Sequence, residues 1–354
     1  MRGAASPEGE NERVAVVCPD KFRGSLTAAD AAAAMARGLA TAGYRDVRSR
    51  PLADGGEGTL DAVRSALGGA VRSARVAGPL GEPVRAEWLL VADGTAVVEM
   101  ARASGLGLVP AAQRDPLGAT TLGTGELIAA AARGGARRIV VGVGGSATTD
   151  GGLGALEALG WSLGGVAVTV ACDVATPFLD AATVYGPQKG ATDAHVELLR
   201  RRLVRLAEQY EHRTGVDVRA LPGAGAAGGL AGGLAAIGAE LEPGFEVVAG
   251  VVGLADALED AQLVVTGEGR FDATSFAGKV VGGVLDWAAD AGVPHRAVIA
   301  GEATDDAREE LSVRGPAQLL TLTERAWDTD DAHARAAVLV EEAAVAVGGA
   351  AGSV

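Results

Sequence analysis

Short apolar runs that end in glycine-built turns and resume as alanine-rich helices recur along this chain, and that alternation admits few folds besides a parallel sheet covered by helices. Residues 13–18 read as a buried strand. Thr27 stands where an N-cap belongs, and residues 28–39 follow as a helix closed by Gly43. Residues 47–52 predict the next strand, 59–67 the next helix, and Gly68-Gly69 its end. Helix-to-strand or strand-to-helix units are predicted again at 127–132 into 138–143, at 262–266 into 280–289 and at 297–301 into 306–313.

Other stretches break this rhythm. Residues 86–92 and 95–100 flank Asp93-Gly94, a pair that tolerates the positive φ of a two-residue hairpin, so antiparallel pairing is expected there. Residues 166–171 predict a further strand, and Thr192 opens a helix over 194–210 with Leu198, Leu199, Leu203 and Leu206 assigned to one side. The expected fold class is α/β: a flavodoxin-like (Rossmann-type) parallel-sheet domain with a second, smaller mixed α/β domain inserted. The boundaries expected are 13–70 plus 115–165 plus 246–348 for the first and 71–114 plus 166–245 for the second, after a disordered tail at 1–12. The cleft between the domains is the expected ligand site.

Charge narrows the partners. A formal net charge of −14 with only 31 Lys and Arg offers no basic footprint for nucleic acid or an anionic membrane. The uncharged run 220–239 is too rich in Gly and Ala to read as a membrane span. Cys18 and Cys172 lie too far apart in sequence for a metal knuckle, and residues 1–12 hold no apolar run, so reduced thiols and a cytoplasmic location are expected.

Three loops carry the chemistry. Cys18-Pro19-Asp20-Lys21-Phe22-Arg23-Gly24-Ser25 puts two cations and a hydroxyl ahead of a helix N-terminus, a credible cradle for an anion. Asp54-Gly55-Gly56-Glu57-Gly58 frees the backbone and leaves two carboxylates, Asp54 and Glu57, able to meet Mg²⁺ through oxygen. Gly144-Gly145-Ser146 follows a third strand, where Asp150 has an alternative role as a helix cap. Asp173, at the end of a strand, could bind metal or accept a proton. Lys189, Glu268, Arg270 and Lys279 add charge on further turns, and Gly225 and Gly228 lie in a segment that serves equally well for phosphate N–H contacts or tight helix packing. The P-loop, the protein-kinase motifs and the zinc-protease motif are absent. Gly142-x-Gly144-Gly145 is a weak match to a dinucleotide turn, which keeps a nucleotide-cofactor oxidoreductase as one alternative.

Seven motifs in order, Asp20-x-Phe22-x-Gly24-Ser25-Leu26, Ala53-Asp54-Gly55-Gly56-Glu57-Gly58-Thr59, Glu99-Met100-Ala101-x-Ala103-Ser104-Gly105-Leu106, Gly123-Thr124-Gly125-Glu126-Leu127, Gly144-Gly145-Ser146-Ala147-Thr148, Gly186-Pro187-Gln188-Lys189-Gly190-Ala191 and Thr266-Gly267-Glu268-Gly269-Arg270, resemble the bacterial glycerate kinase family, type-1 group. Relative to that family the central segment around 161–183 is shortened. The resemblance implies phosphorylation of D-glycerate by ATP with Mg²⁺, to 2-phosphoglycerate or alternatively 3-phosphoglycerate, and allows a homodimer. For such a reaction Lys21 and Arg23 are the candidates to neutralise the transferring oxygens. Asp54, Asp173 and Glu268 are the candidates for Mg²⁺ or the attacking hydroxyl, and Arg102 or Arg270 for the substrate carboxylate. Ser25, Gly55, Gly56, Glu57, Ser104, Gly144, Gly145, Ser146, Lys189, Gly225, Gly228 and Lys279 complete the expected substrate and phosphate contacts. A non-catalytic relative that only binds such ligands is the other alternative.

Overall fold

The computed structural model describes residues 13–352, so the tail expected at 1–12 lies outside it. Among the described residues there are eleven strands: β1 Val14–Val17, β2 Asp46–Ser49, β3 Ala70–Ala77, β4 Pro83–Leu90, β5 Thr95–Glu99, β6 Arg138–Gly142, β7 Ala167–Ala171, β8 Glu240–Glu242, β9 Leu263–Phe271, β10 His295–Ala303 and β11 Gln318–Thr321. Two compact units result. The chain up to Leu52 joins the chain from Val252 onward, and Ala53–Val251 forms the other.

In the first unit every strand pair is parallel, in the order β11-β10-β9-β1-β2. Successive residues of a strand face opposite ways, and β10 shows the consequence. Ala297 and Ile299 join a core with Met35, Leu39, Leu339, Val340 and Val347, whereas Val298 and Ala300 join another with Phe271, Val281, Leu285 and Leu311. Helices Ala28–Thr41 and Ala336–Ala351 therefore cover one face, and Val280–Asp290 and Asp305–Arg314 the other. Burial on both faces explains why β1 is a continuous apolar run. Thr27 caps its helix as expected, accepting from Asp30 N at 3.1 Å.

The second unit holds a mixed sheet, β3-β4-β5-β6-β7-β8, antiparallel at its first two pairings and parallel thereafter. Asp93-Gly94 makes the predicted hairpin between β4 and β5: Gly94 has φ +84° and Asp93 Oδ1 accepts from Thr95 N at 2.8 Å. The boundaries drawn from sequence differ here. Residues 53–70 and 115–165 were expected with the first unit, but β6 pairs between β5 and β7, and helix Thr59–Leu67 packs on β5. Their apolar faces are thus covered inside the second unit. The helix Asp193–Thr214 starts at Thr192 as predicted, with His195 closing a capping box, and buries Leu199, Leu203 and Leu206. Leu198 is instead exposed, being a full 100° round the helix from Leu199. No helix among the described residues is long and apolar enough to cross a membrane.

Glycine is required where backbone meets backbone. A Cβ on Gly142 would lie 2.5 Å from the Gly55 carbonyl oxygen, whereas Gly164, on an exposed turn, faces open space and has only its φ of +63° to satisfy. Gly142→Ala should therefore lose more than about 2 kcal/mol in denaturant unfolding, and Gly164→Ala about 1 kcal/mol. Equal losses would show that the close approach is not what Gly142 serves.

Candidate active site

In the first unit the chemistry gathers where β9 runs on past the end of β1. The loop after β1 continues along its neighbour: Asp20 N donates to Gly267 O at 2.8 Å, and Thr266 Oγ1 donates to Cys18 O at 2.9 Å. Phe22, fully buried, anchors the loop, and its backbone exchanges hydrogen bonds with Leu26 at 2.9 and 3.0 Å. This leaves Lys21 half-buried and Arg23 exposed on either side of the anchor, with Ser25 Oγ donating to Phe22 O at 3.2 Å. The loop lies against β9 so closely that a Cβ on Gly269 would be 2.9 Å from Arg23 N. Only glycine fits there.

Glu268 stands beside this loop. Burial pushes its carboxyl up to about 7, the negative charges of Asp20 and Asp272 push the same way, and the Ser275 hydroxyl and Lys279 oppose them. Its Oε1 is buried with no hydrogen-bond partner. A carboxylate oxygen held in that state, next to a second acid, is poised to take a cation or a proton. Lys279 Nζ donates to Thr274 Oγ1 at 2.8 Å, and Arg270 pairs with Glu302 at 2.8 Å while remaining largely exposed. Lys21, Arg23, Ser25, Glu268, Arg270 and Lys279 thus all belong to loops or strand ends at the carboxyl side of this sheet, where ligands of open α/β sheets bind.

In the second unit the loop of Asp54 lies across the carboxyl ends of β6 and β7. Cβ atoms on Gly55 and Gly144 would fall 2.7 Å from Ala171 O and 2.6 Å from Gly56 Cα. Asp54 Oδ1 accepts from Gly56 N at 3.2 Å, and Asp173 Oδ1 from Gly244 N at 2.7 Å. A Cβ on Gly244 would also strike the Asp54 carbonyl at 2.0 Å, so the two acids flank one glycine. Glu57 is exposed at the outer end of the same loop.

The surroundings of the other expected contacts are as follows. Gly144 is packed on the Asp54 loop, so the approach that a dinucleotide turn reserves for pyrophosphate is already filled by the chain itself. Gly145 is exposed but accepts from Leu106 N through its carbonyl at 2.8 Å, and Ser146 bridges to Gly105. Ser104 is fully buried and accepts from Thr124 Oγ1 at 2.9 Å. Gly225 and Gly228 are buried as well; Gly225 N donates to Thr176 O at 2.9 Å, and Gly228 packs against the Thr148 carbonyl, so this segment serves tight packing. Lys189, expected on an open turn, is 1 % exposed, with Nζ donating to Thr148 O at 2.6 Å. Among the described residues no three His, Cys, Asp or Glu side chains are grouped to hold a metal.

Arg102 is committed too. Its Nε donates to Glu99 at 2.8 Å, Nη1 to Glu87 at 3.2 Å and Nη2 to Asp61 at 3.2 Å. Glu99, buried, also accepts from Gly58 N and Leu60 N at 3.0 and 2.9 Å, placing a carboxylate at the N-terminus of helix Thr59–Leu67. The sequence pattern contained Glu99 without revealing this role, because the helix it caps lies some forty residues away.

The model of the glycerate kinase family matches residues 15–164 and 161–351. The chain belongs to the glycerate kinase family. Its relatives include the glycerate 2-kinase of Escherichia coli, 43 % identical over 330 residues and 82 % of this chain and 86 % of that one. The glycerate kinase of Halalkalibacterium halodurans is 40 % identical over 368 residues, covering 93 % and 96 %. A crystal structure assigned as glycerate kinase 2 from Salmonella typhimurium LT2 superposes with a TM-score of 0.83 at 36 % identity, over 96 % of this chain and 98 % of that one. The two stretches of the family match overlap at 161–164.

In this structure Arg102 is a clamp on Glu99. Arg102→Leu should lower stability by about 1–3 kcal/mol, because Glu99 is left buried without its cation, while KM for glycerate stays within about twofold. A KM rising tenfold or more in a protein of unchanged stability would return Arg102 to the substrate.

Proposed function

We propose that this chain transfers the γ-phosphoryl group of ATP, with Mg²⁺, to a hydroxyl of D-glycerate and forms 2-phosphoglycerate. Family membership supports the substrate class, and one observation carries the chemistry: Glu268, with a buried unpartnered oxygen, lies beside Asp20 on the loop that carries Lys21 and Arg23. The strand order of the first unit, 2-1-3-4-5 when its strands are counted in chain order, supports a flavodoxin-like domain, whose ligands bind at the strand ends in question. The free cysteines Cys18 and Cys172 fit a cytoplasmic enzyme.

Phosphoryl transfer asks for positioning and charge neutralisation more than covalent work. Lys21, Arg23 and the Ser25 hydroxyl bind the oxygens of the migrating group. Glu268 with Asp20 would hold Mg²⁺, since a dication would relieve the repulsion between the two acids. When bound, the ion neutralises charge on the phosphate oxygens. Within the second unit, Asp54 and Asp173, both at Gly244, are the carboxylates suited to accept a hydroxyl proton. Arg270 holds the glycerate carboxylate. Its bond to Glu302 is exposed, and pairs of that kind are worth only about 0.2–1 kcal/mol, so exchange for a substrate is easy.

Coupled ADP release with D-glycerate tests this reading. Lys21→Ala should lower kcat on the order of 10³-fold with little change in melting temperature, since removing one well-placed cation costs that much at the transition state. Glu268→Gln should raise the Mg²⁺ concentration needed for half-maximal rate by about tenfold or more. Full activity in the first variant, or an unaltered Mg²⁺ requirement in the second, would remove that residue from the mechanism.

A further inference from the structure

Lys189 lies in the single turn Pro187–Lys189, between Gly186 and Gly190, yet its side chain reaches inward to the Thr148 carbonyl. A buried carbonyl needs a donor, and a charged one makes a bond roughly twice as strong as a neutral one. Thr148 is held from the other side as well. Gly228 packs so tightly on its carbonyl that a Cβ there would lie 2.0 Å away, and Thr148 Oγ1 donates to Ala227 O at 3.5 Å. The neighbouring Thr149 Oγ1 is buried with no partner. The segment is thus wedged in place with Lys189 as its polar tie.

The same loop begins at Gly144, stacked on Gly56 of the Asp54 turn. Asp150, further along it, does not bond Lys189 but accepts from Thr121 N, Thr121 Oγ1, Gly152 N and Gly154 N at 2.8, 2.8, 3.1 and 3.3 Å. We propose that Lys189 is a positioning residue: its ammonium braces the loop from Gly144 to Asp150 through the Thr148 carbonyl, and through that loop fixes the Asp54 turn for phosphoryl transfer. This rests on the function proposed above.

The brace is sensitive to protonation. Burial pulls the Lys189 amine down to about 7, with the charge of Asp150 resisting. The other titratable or charged groups around it are Tyr185, whose ring centre is 5.8 Å from Nζ, Arg114, which lies over Gly190 and donates to Gln188 O at 3.2 Å, and Tyr210, whose hydroxyl donates to Gly151 O at 2.9 Å. Burial and the charges of Asp150 and Glu157 keep Tyr210 neutral. Between about pH 7 and the ordinary lysine value of 10.5, the folded chain has released a proton that the unfolded chain retains, so this group makes stability rise with pH across that window.

The test compares wild type with Lys189→Met, a close match in volume without charge. Kinetics are followed from pH 6 to 9 and hydrogen exchange over residues 143–152. At pH 6.5 the variant should show kcat lower by about tenfold, KM for ATP and D-glycerate within about twofold, and no inflection near pH 7 where wild type has one. Exchange over 143–152 should quicken about tenfold in the variant, with helix Ala336–Ala351 unchanged, and the rise in melting temperature from pH 7 to 9 should be absent. A wild-type kcat profile and exchange pattern in the variant would overturn the proposal. So would a tenfold rise in KM at constant kcat, which would make Lys189 a ligand. Should the variant not fold, wild type decides alone: because the closed loop holds the amine down to about 7 and the opened loop releases it to its ordinary value, protection over 143–152 must rise from pH 7 to 9 once the intrinsic chemical rate is divided out, and a flat protection factor overturns the brace. Wild type inactive on glycerate would refute the proposed function, while the exchange and melting data would still decide the tie to Thr148.

Discussion

Backbone pressed directly on backbone is the constraint on which the rest of this structure depends. In the first unit β9 and the loop after β1 touch at Gly269, and in the second the Asp54 turn rests on Gly142, Gly144 and Gly244. Each contact leaves no room for a Cβ, so main-chain contact itself sets where the charged loops lie. This explains why a chain with 53 glycines builds its cores largely from Ala, Val and Leu with few aromatics. Close approach substitutes for bulk.

Depth then sorts the charges into two kinds. Arg102, Glu99, Asp150 and Lys189 are wholly or largely buried, and their polar atoms are engaged by helix ends, carbonyls or one another. They hold the loops. Lys21, Arg23, Arg270 and Lys279 lie nearer the solvent at the carboxyl side of the parallel sheet, where exchanging water for a ligand costs little. Glu268 falls between these groups, buried enough to be raised and left with one oxygen unsatisfied. That intermediate position is what singles it out.

The sequence showed what short-range physics controls. Alternating strand and helix runs, the Thr27 and Thr192 caps and the Asp93-Gly94 hairpin all rest on contacts within a few residues, and the structure contains them. What it hid is long-range. β3, with two arginines and small residues at the sheet edge, and β8, three residues with two glutamates, carry no apolar alternation to reveal them. The pairing of β6 between β5 and β7 moved a whole segment from one unit to the other, since a strand's partner is not written in its own residues. Lys189 in Gly-Pro-Gln-Lys-Gly looks like any solvated turn until the Thr148 carbonyl is seen to need it. Likewise Arg102 reads as a substrate cation until its three carboxylates are placed around it.

The central claim is that these loops move a phosphoryl group onto glycerate. Phosphorus NMR of a reaction containing the purified protein, ATP, Mg²⁺ and D-glycerate tests it most directly. The account predicts a new phosphate monoester resonance, growing as ADP appears and coupled to the single proton on C2. A folded protein that binds the nucleotide yet yields no phosphoglycerate of either position would contradict it.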